Sequence, residues 1–98
     1  MPSKNFSGFD WDEGNLQKCR KHGVTIEEIE SVFAGTPAIG PDAAHSTAEA
    51  RFLAIGTAQS GRYVFLAFTW RERGGANLVR PISARYMHAK EVQHYERR

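Results

Sequence analysis

The clearest periodicity falls between Thr25 and Phe33, where Ile26, Ile29, Val32 and Phe33 recur at helical spacing. Ahead of that stripe, Thr25-Ile-Glu-Glu28 is a capping box. The Thr25 hydroxyl and the Glu28 carboxylate each meet a backbone N–H that a first helical turn leaves unpaired. Val24 and Ile29 stand where a hydrophobic staple closes, and Gly35 and Pro37 end the element. A weaker helix precedes it, with Asp12 as N-cap, His22 as its last residue and Gly23 as a left-handed stop. Its apolar residues are few: Leu16 and Cys19 share one face, while Gln17, Lys18, Arg20 and Lys21 face water.

Beyond Gly35 the pattern changes. A short strand is predicted around Pro37 to Ile39, and residues 40–50 are small and polar and read as a loop. Arg51 to Gly56 and Arg62 to Trp70 read as strands joined by the turn Gln59-Ser-Gly61. The second run is apolar on both faces, which predicts a central strand covered on two sides. After the turn Arg71 to Gly75 a third strand runs from Leu78 to Ala84, and Pro81 inside it points to a sheet edge or a bulge. A helix from about Ala89 to Arg97 closes the chain, with Val92 and Tyr95 as a narrow apolar stripe. Helix, helix, three antiparallel strands and helix make an α+β fold, its sheet curled over the two N-terminal helices.

Composition narrows the class. Ninety-eight residues suffice for one domain, spanning 1–98, and an apolar fraction of 41% is that of a globular chain. No apolar run approaches the roughly 20 residues that cross a bilayer, and the N-terminus has no hydrophobic signal core, so the expectation is a cytoplasmic protein away from membranes. The single cysteine, Cys19, excludes an intramolecular disulfide and a thiolate metal cluster. The histidines at 22, 45, 88 and 94 form no ligand pattern, so neither metal nor cofactor is expected.

Charge is unevenly divided. Residues 1–50 carry four Lys/Arg against eight Asp/Glu, a net of −4, whereas residues 51–98 carry nine against three, a net of +6. Eight of those nine cations are arginine: Arg51, Arg62, Arg71, Arg73, Arg80, Arg85, Arg97 and Arg98. A guanidinium offers a planar fork of donors that matches phosphate, so the basic half suggests a nucleic-acid partner.

Two stretches carry a family resemblance. The first is Phe9-Asp-Trp-Asp12 with Asn15 and Lys21-His-Gly-Val24, continuing to Val32-Phe33. The second is Arg51-Phe-Leu-Ala-Ile-Gly56, then Gly61-Arg62, Arg80-Pro-Ile-Ser-Ala-Arg-Tyr86, Glu91 and Tyr95-Glu96. In order and spacing the chain resembles the BrnT-like toxins of bacterial toxin–antitoxin pairs, over about nine tenths of its length. It departs from them in having Glu13 where proline is common and His88 where a Ser or Thr cap is common. The resemblance implies a RelE-like ribonuclease fold, a curled antiparallel sheet of three to five strands with a short additional strand at Gly8 to Trp11. It also implies an endoribonuclease that inhibits translation, neutralised by a ribbon-helix-helix antitoxin. RNA is then the substrate, with the ribosome and, through the antitoxin, operator DNA as further partners. The alternative is a catalytically inactive module that partners the DNA-binding antitoxin as co-repressor.

Metal-independent RNA cleavage uses the 2′-hydroxyl as nucleophile and needs proton transfer plus cations around the phosphorane. The candidate catalytic residues are His22, Arg80 and Arg85. The two arginines flank the end of the last strand, but their odd separation puts them on opposite faces unless Pro81 or a bulge intervenes. A structural ion pair with an acidic residue of the first helices is the competing role for both. His22 sits at a helix C-terminus, where the dipole favours a cation, and a C-cap is its competing role. Lys21, Arg51, Arg71 and Tyr86 are candidates for RNA binding, Tyr86 by stacking on a base or else packing under the closing helix.

Overall fold

A computed structural model of the chain describes residues 6–97; residues 1–5 and Arg98, one of the C-terminal cations, lie outside the described residues. The elements are β1 (Gly8–Phe9), α1 (Glu13–Arg20), α2 (Ile26–Ala34), β2 (Ala38–Pro41), β3 (Phe52–Thr57), β4 (Tyr63–Arg73), β5 (Ala76–Tyr86) and α3 (Ala89–Arg97). A single 3-10 turn, Ala43–His45, interrupts the loop between β2 and β3.

Both N-terminal helices start where the caps predict. Thr25 and Glu28 form the expected reciprocal box, and Val24 and Ile29 beside it are buried. Asp12 caps α1 through a box of its own: its carboxylate accepts from the Asn15 N–H at 3.1 Å, and the Asn15 side chain accepts from the Asp12 N–H at 2.7 Å. α1 ends at Arg20, two residues short of the predicted His22, with Gly23 in the left-handed region (φ +88°) as expected. The residues it buries are Asn15 and Cys19, one helical turn apart, while Leu16 is half-buried.

The five strands form one open mixed sheet in the order β1-β5-β4-β3-β2. All neighbours are antiparallel except β1, which pairs parallel to β5 through Gly8–Leu78 and Phe9–Val79. The expectation of a purely antiparallel sheet is corrected by that one strand. Two residues are too few for periodicity to reveal, and the resemblance alone anticipated a strand there. β4 is central, as its two-sided apolar character predicted, and β5 lies between β1 and β4 rather than at an edge.

Pro81 therefore marks a bulge. Ala67 pairs with Ser83 and Phe68 with Pro81, leaving Ile82 as an extra, unpaired residue of β5. The helix side of the sheet carries Val64, Leu66 and Phe68, which are fully buried beneath α2 with Ile29, Val32 and Phe33. Phe33 meets Phe68 edge to face at 5.2 Å, and Phe9 meets Phe33 at 5.7 Å. Gly56, also on this side, leaves no room for a side chain: a Cβ there would stand 2.9 Å from Val32 Cγ1.

The opposite, outer side carries the odd-numbered residues of β4. α3 covers one end of it, with Tyr95 against Tyr63 at 5.7 Å and no residue of α3 buried. A hollow of about 430 Å³ lies between α3 and the sheet, lined by Leu53, Ile55, Phe65 and Met87 among others. The other end of the outer side is not covered by a helix.

Candidate nucleic-acid interface

Cross-strand partners share a face, so the register assigns each side chain to a side. Arg80 pairs with Thr69 and Arg85 with Phe65, and Thr69 and Phe65 are both outer residues of β4. The bulge at Ile82 thus cancels the odd spacing, and both arginines stand on the outer face. Four residues of β4 separate their partners, about 13 Å. Between them runs a row of mostly small side chains, Ser83, Ala67, Leu53 and Gly40, paired in turn across β5, β4, β3 and β2.

The end of this face away from α3 is rich in guanidinium, and the loop before β3 lies against it at Thr69, which is buried. Arg71 and Arg73 lie at the end of β4 and Arg80 on β5, and all three approach one carboxylate, Asp10, which directly follows β1. Asp10 Oδ2 is 3.3 Å from Arg73 Nη2, 3.4 Å from Arg80 Nη1 and 3.9 Å from Arg71 Nε. Two further carboxylates stand outside this centre. Asp12 accepts Arg80 Nη2 at 3.0 Å, and Glu49, from the loop before β3, accepts Arg71 Nη1 at 2.5 Å. Exposure separates the inner from the outer partners. The side chain of Asp10 is 12% exposed and that of Arg80 18%, against 57% for Asp12 and 42% for Glu49. The N–H of Asn15 and the Arg80 guanidinium hold the Asp12 carboxyl below the usual carboxylate range.

Asp10 is itself fixed through its backbone. Its N–H donates to Val79 O at 2.8 Å, and its carbonyl accepts from the Asn15 carboxamide at 2.9 Å. The same carboxamide donates to Pro81 O at 2.8 Å, so one buried Asn joins β1, α1 and the bulge of β5. Arg51 directly precedes β3; its N–H donates to the Ser46 hydroxyl and its carbonyl accepts from the Asp42 N–H, both at 2.9 Å, while the Thr69 hydroxyl donates to the neighbouring Ala50 O at 2.8 Å.

Arg85 is engaged differently. Its two terminal nitrogens donate to the two Glu91 oxygens at 2.7 and 2.8 Å, and its guanidinium stacks over Phe65. Glu91 also accepts the His88 N–H at 2.9 Å, which makes His88 the N-cap residue of α3. With Arg85 and that N–H on it, the Glu91 carboxyl is pulled down to about 2.

His22, Lys21 and Tyr86 are not on this face. Tyr86 pairs with Val64 and so points to the helix side. There its phenol donates to Glu28 Oε1 at 2.5 Å and lies 3.2 Å from Gly23 O, next in the chain to exposed His22. The expectation that Tyr86 packs under α3 is corrected: α3 lies on the other side of the sheet. Arg62 stacks on its ring at 3.3 Å, and the bond to Glu28 pushes the Tyr86 pKa up, so its proton is committed and that ring face is covered. Burial works to raise the Glu28 pKa, but hydrogen bonds from Ser60, Tyr86 and Thr25 outweigh it and hold the carboxyl down. The three catalytic candidates are thus divided: Arg80 and Arg85 share a face, 13 or so ångströms apart along it, and His22 is across the sheet. Cys19 is fully buried, and desolvation lifts its thiol to about 11.

Asp10 and Asn15 were not among the sequence candidates. The Asp12–Asn15 capping spacing is a legible signal for Asn15, whereas nothing local to Asp10 announces three arginines up to 70 residues away. Among the described residues no group of three or more His, Cys, Asp or Glu is arranged to hold a metal ion.

The structure is thus an open, curled α+β sheet whose outer face carries arginines around a row of mostly small side chains. Residues 11–91 match the family model described as "Ribonuclease toxin, BrnT, of type II toxin-antitoxin system", and the chain belongs to that family. Membership carries RNA as substrate class and an antitoxin as partner. No curated protein matches the chain.

Proposed function

We propose that this chain is an endoribonuclease toxin that cuts RNA without a metal ion and thereby inhibits translation, with a ribbon-helix-helix antitoxin as its inhibitor. The observation that carries the reading is the shared outer face of Arg71, Arg80 and Arg85, produced by the Ile82 bulge. RNA runs along the row of Ser83, Ala67 and Leu53, with one phosphate at Arg71 and Arg80 and a later one toward Arg85. The 2′-hydroxyl gives up its proton to solvent and its oxygen attacks the adjacent phosphorus; the bond to the 5′-oxygen breaks, that oxygen takes a proton from water, and a 2′,3′-cyclic phosphate is left. Arg71 and Arg80 stabilise the charge that gathers on the phosphorane oxygens. Arg73 adds its donors to the first of these phosphates, and Arg51 extends the contact to a flanking one. A ribosome holding the message in the same path, and operator DNA bound through the antitoxin, are the wider partners of this reading.

The test is cleavage of single-stranded and ribosome-bound RNA in EDTA, with the product ends identified. Cyclic phosphate ends are expected, with a rate loss on the order of 100-fold in Arg80→Ala. RNA left intact under both conditions overturns the reading. One observation favours the non-catalytic co-repressor instead: Arg71, Arg80 and Arg85 each already hold a carboxylate. Its signature is tight antitoxin binding together with harmless expression of the lone protein.

A further inference from the structure

We infer that Asp10, although anionic, is a positioning residue for RNA: it gathers Arg71, Arg73 and Arg80 so that their outward donors meet one phosphate. The inference rests on the RNA-binding reading above and goes beyond it in assigning an acidic residue to the site. Three features of the geometry support it. Asp10 Oδ2 is a common partner of all three guanidiniums, at 3.3 to 3.9 Å. Its main chain is clamped on both sides, by Val79 O and by the buried Asn15. And the remaining anions on these arginines are exposed, on the N-cap of α1 and in a loop, where a phosphodiester can exchange with them.

Each guanidinium has five N–H donors in a rigid fork, so an inner carboxylate uses one or two and orients the rest. Without that anchor, three long cationic side chains packed together repel one another and spread. Ordering them again on RNA then costs the side-chain entropy that Asp10 has already removed. Arg73, the most exposed of the three, gains most from the anchor. Glu49 is the natural control. It carries the same charge on the same face and touches Arg71, but it stands on the outside, where the incoming phosphate replaces it.

Charge and positioning make opposite forecasts, which gives the experiment its sign. Removing any carboxylate from a basic face strengthens RNA binding if only net charge matters. Binding of a single-stranded RNA oligonucleotide is measured against salt for the full-length protein, Asp10→Asn and Glu49→Gln, together with single-turnover cleavage. Asp10→Asn is expected to bind about tenfold more weakly, with a salt slope shallower by about 0.7 to 1.4, one or two phosphate contacts on a single strand. Glu49→Gln is expected to bind several-fold more tightly at an undiminished slope. Asp10→Glu, which keeps the charge, recovers part of the loss and serves as the second variant should the amide fail to fold. Asp10→Asn binding as tightly as Glu49→Gln, or Asp10→Glu no better than Asp10→Asn, overturns the role of Asp10 while the RNA-binding reading stands. Wild-type protein that neither binds nor cuts RNA overturns both.

Discussion

Asn15 is where fold and site depend on the same few atoms. Its side chain is 4% exposed for the residue as a whole and makes three hydrogen bonds: to Asp10 O at 2.9 Å, to Pro81 O at 2.8 Å and from the Asp12 N–H at 2.7 Å. Asn15→Ala leaves the Pro81 carbonyl buried without its donor, a cost of about 1–3 kcal/mol, and removes two part-buried bonds worth roughly 0.5–1.5 kcal/mol each. Alanine returns about 0.5 kcal/mol through its better helix propensity. The net expectation is a loss of about 1.5–5.5 kcal/mol, each kcal/mol lowering Tm by roughly 4–8 °C for a domain of this length.

Urea unfolding followed through Trp11 and Trp70 measures the loss, and an unchanged denaturant slope confirms that stability rather than compactness moved. Asn15→Asp sharpens the question. It is nearly isosteric, but it sets an acceptor oxygen where an NH2 faces two carbonyls, so it is expected to destabilise at least as much as alanine. An Asn15→Asp protein as stable as wild type, or an alanine variant within 0.5 kcal/mol of it, refutes the assignment of Asn15 as the joint between β1, α1 and β5. Because Asp10 and Arg80 hang on that joint, surviving Asn15→Ala protein is also expected to bind RNA more weakly than its folded fraction accounts for.

Three further outcomes follow from the coordinates. Gly56→Ala drives a Cβ to within 2.9 Å of Val32 Cγ1 and 3.4 Å of Pro37 Cα, so a loss of about 1–3 kcal/mol is expected in thermal melts. For Glu91, the folded value is depressed from 4.5 to about 2, first by Arg85 and then by the His88 N–H. Its stabilising contribution is therefore complete above the unfolded value and lost as pH falls toward 2; a carboxyl titration by NMR should show that midpoint, returning to the ordinary range in Arg85→Ala. Cys19, buried with its thiol near 11, should react with a thiol reagent at pH 8 only as fast as urea opens the protein.

Local rules read most of the fold because most of it is locally determined. The Thr25 box, the Asp12 cap, the Gly23 stop and the apolar run of β4 each declare themselves within a few residues, and each is found where predicted. What escaped is non-local. β1 is two residues long and exists because Gly8 and Phe9 find an edge of β5 some 70 residues later. Leu16 looked like the partner of Cys19, yet the position facing β5 is taken by Asn15, since the bulge needs a donor there more than the core needs a methyl group. Pro81 was legible as a disturbance, but only the register decides that the disturbance brings Arg80 and Arg85 to one face. His22 stands out in the sequence for its helix terminus, and that terminus lies across the sheet from the arginines.

The division of charge also acquires a different meaning in three dimensions. An acidic first half and a basic second half suggest a polyanionic partner for the latter, but the chain is partly its own partner: Asp10, Asp12 and Glu49 all come from residues 1–50 and all meet arginines of residues 51–98. The pairs made by the exposed carboxylates, Asp12 and Glu49, contribute about 0–1 kcal/mol each to stability, too little to account for such a concentration of arginine on one face. Pairing at the rim still has a consequence. It keeps the face near neutrality, and on the function proposed above a phosphodiester has to displace Glu49 and Asp12 before it gains Arg71 and Arg80. Indiscriminate binding to weakly presented polyanions is thereby penalised, and a strand held in register over several contacts is favoured. Asp10 marks the limit of that exchange in the inference drawn above: with shallow burial and a clamped backbone to keep it in place, it is the anion that RNA is expected not to replace.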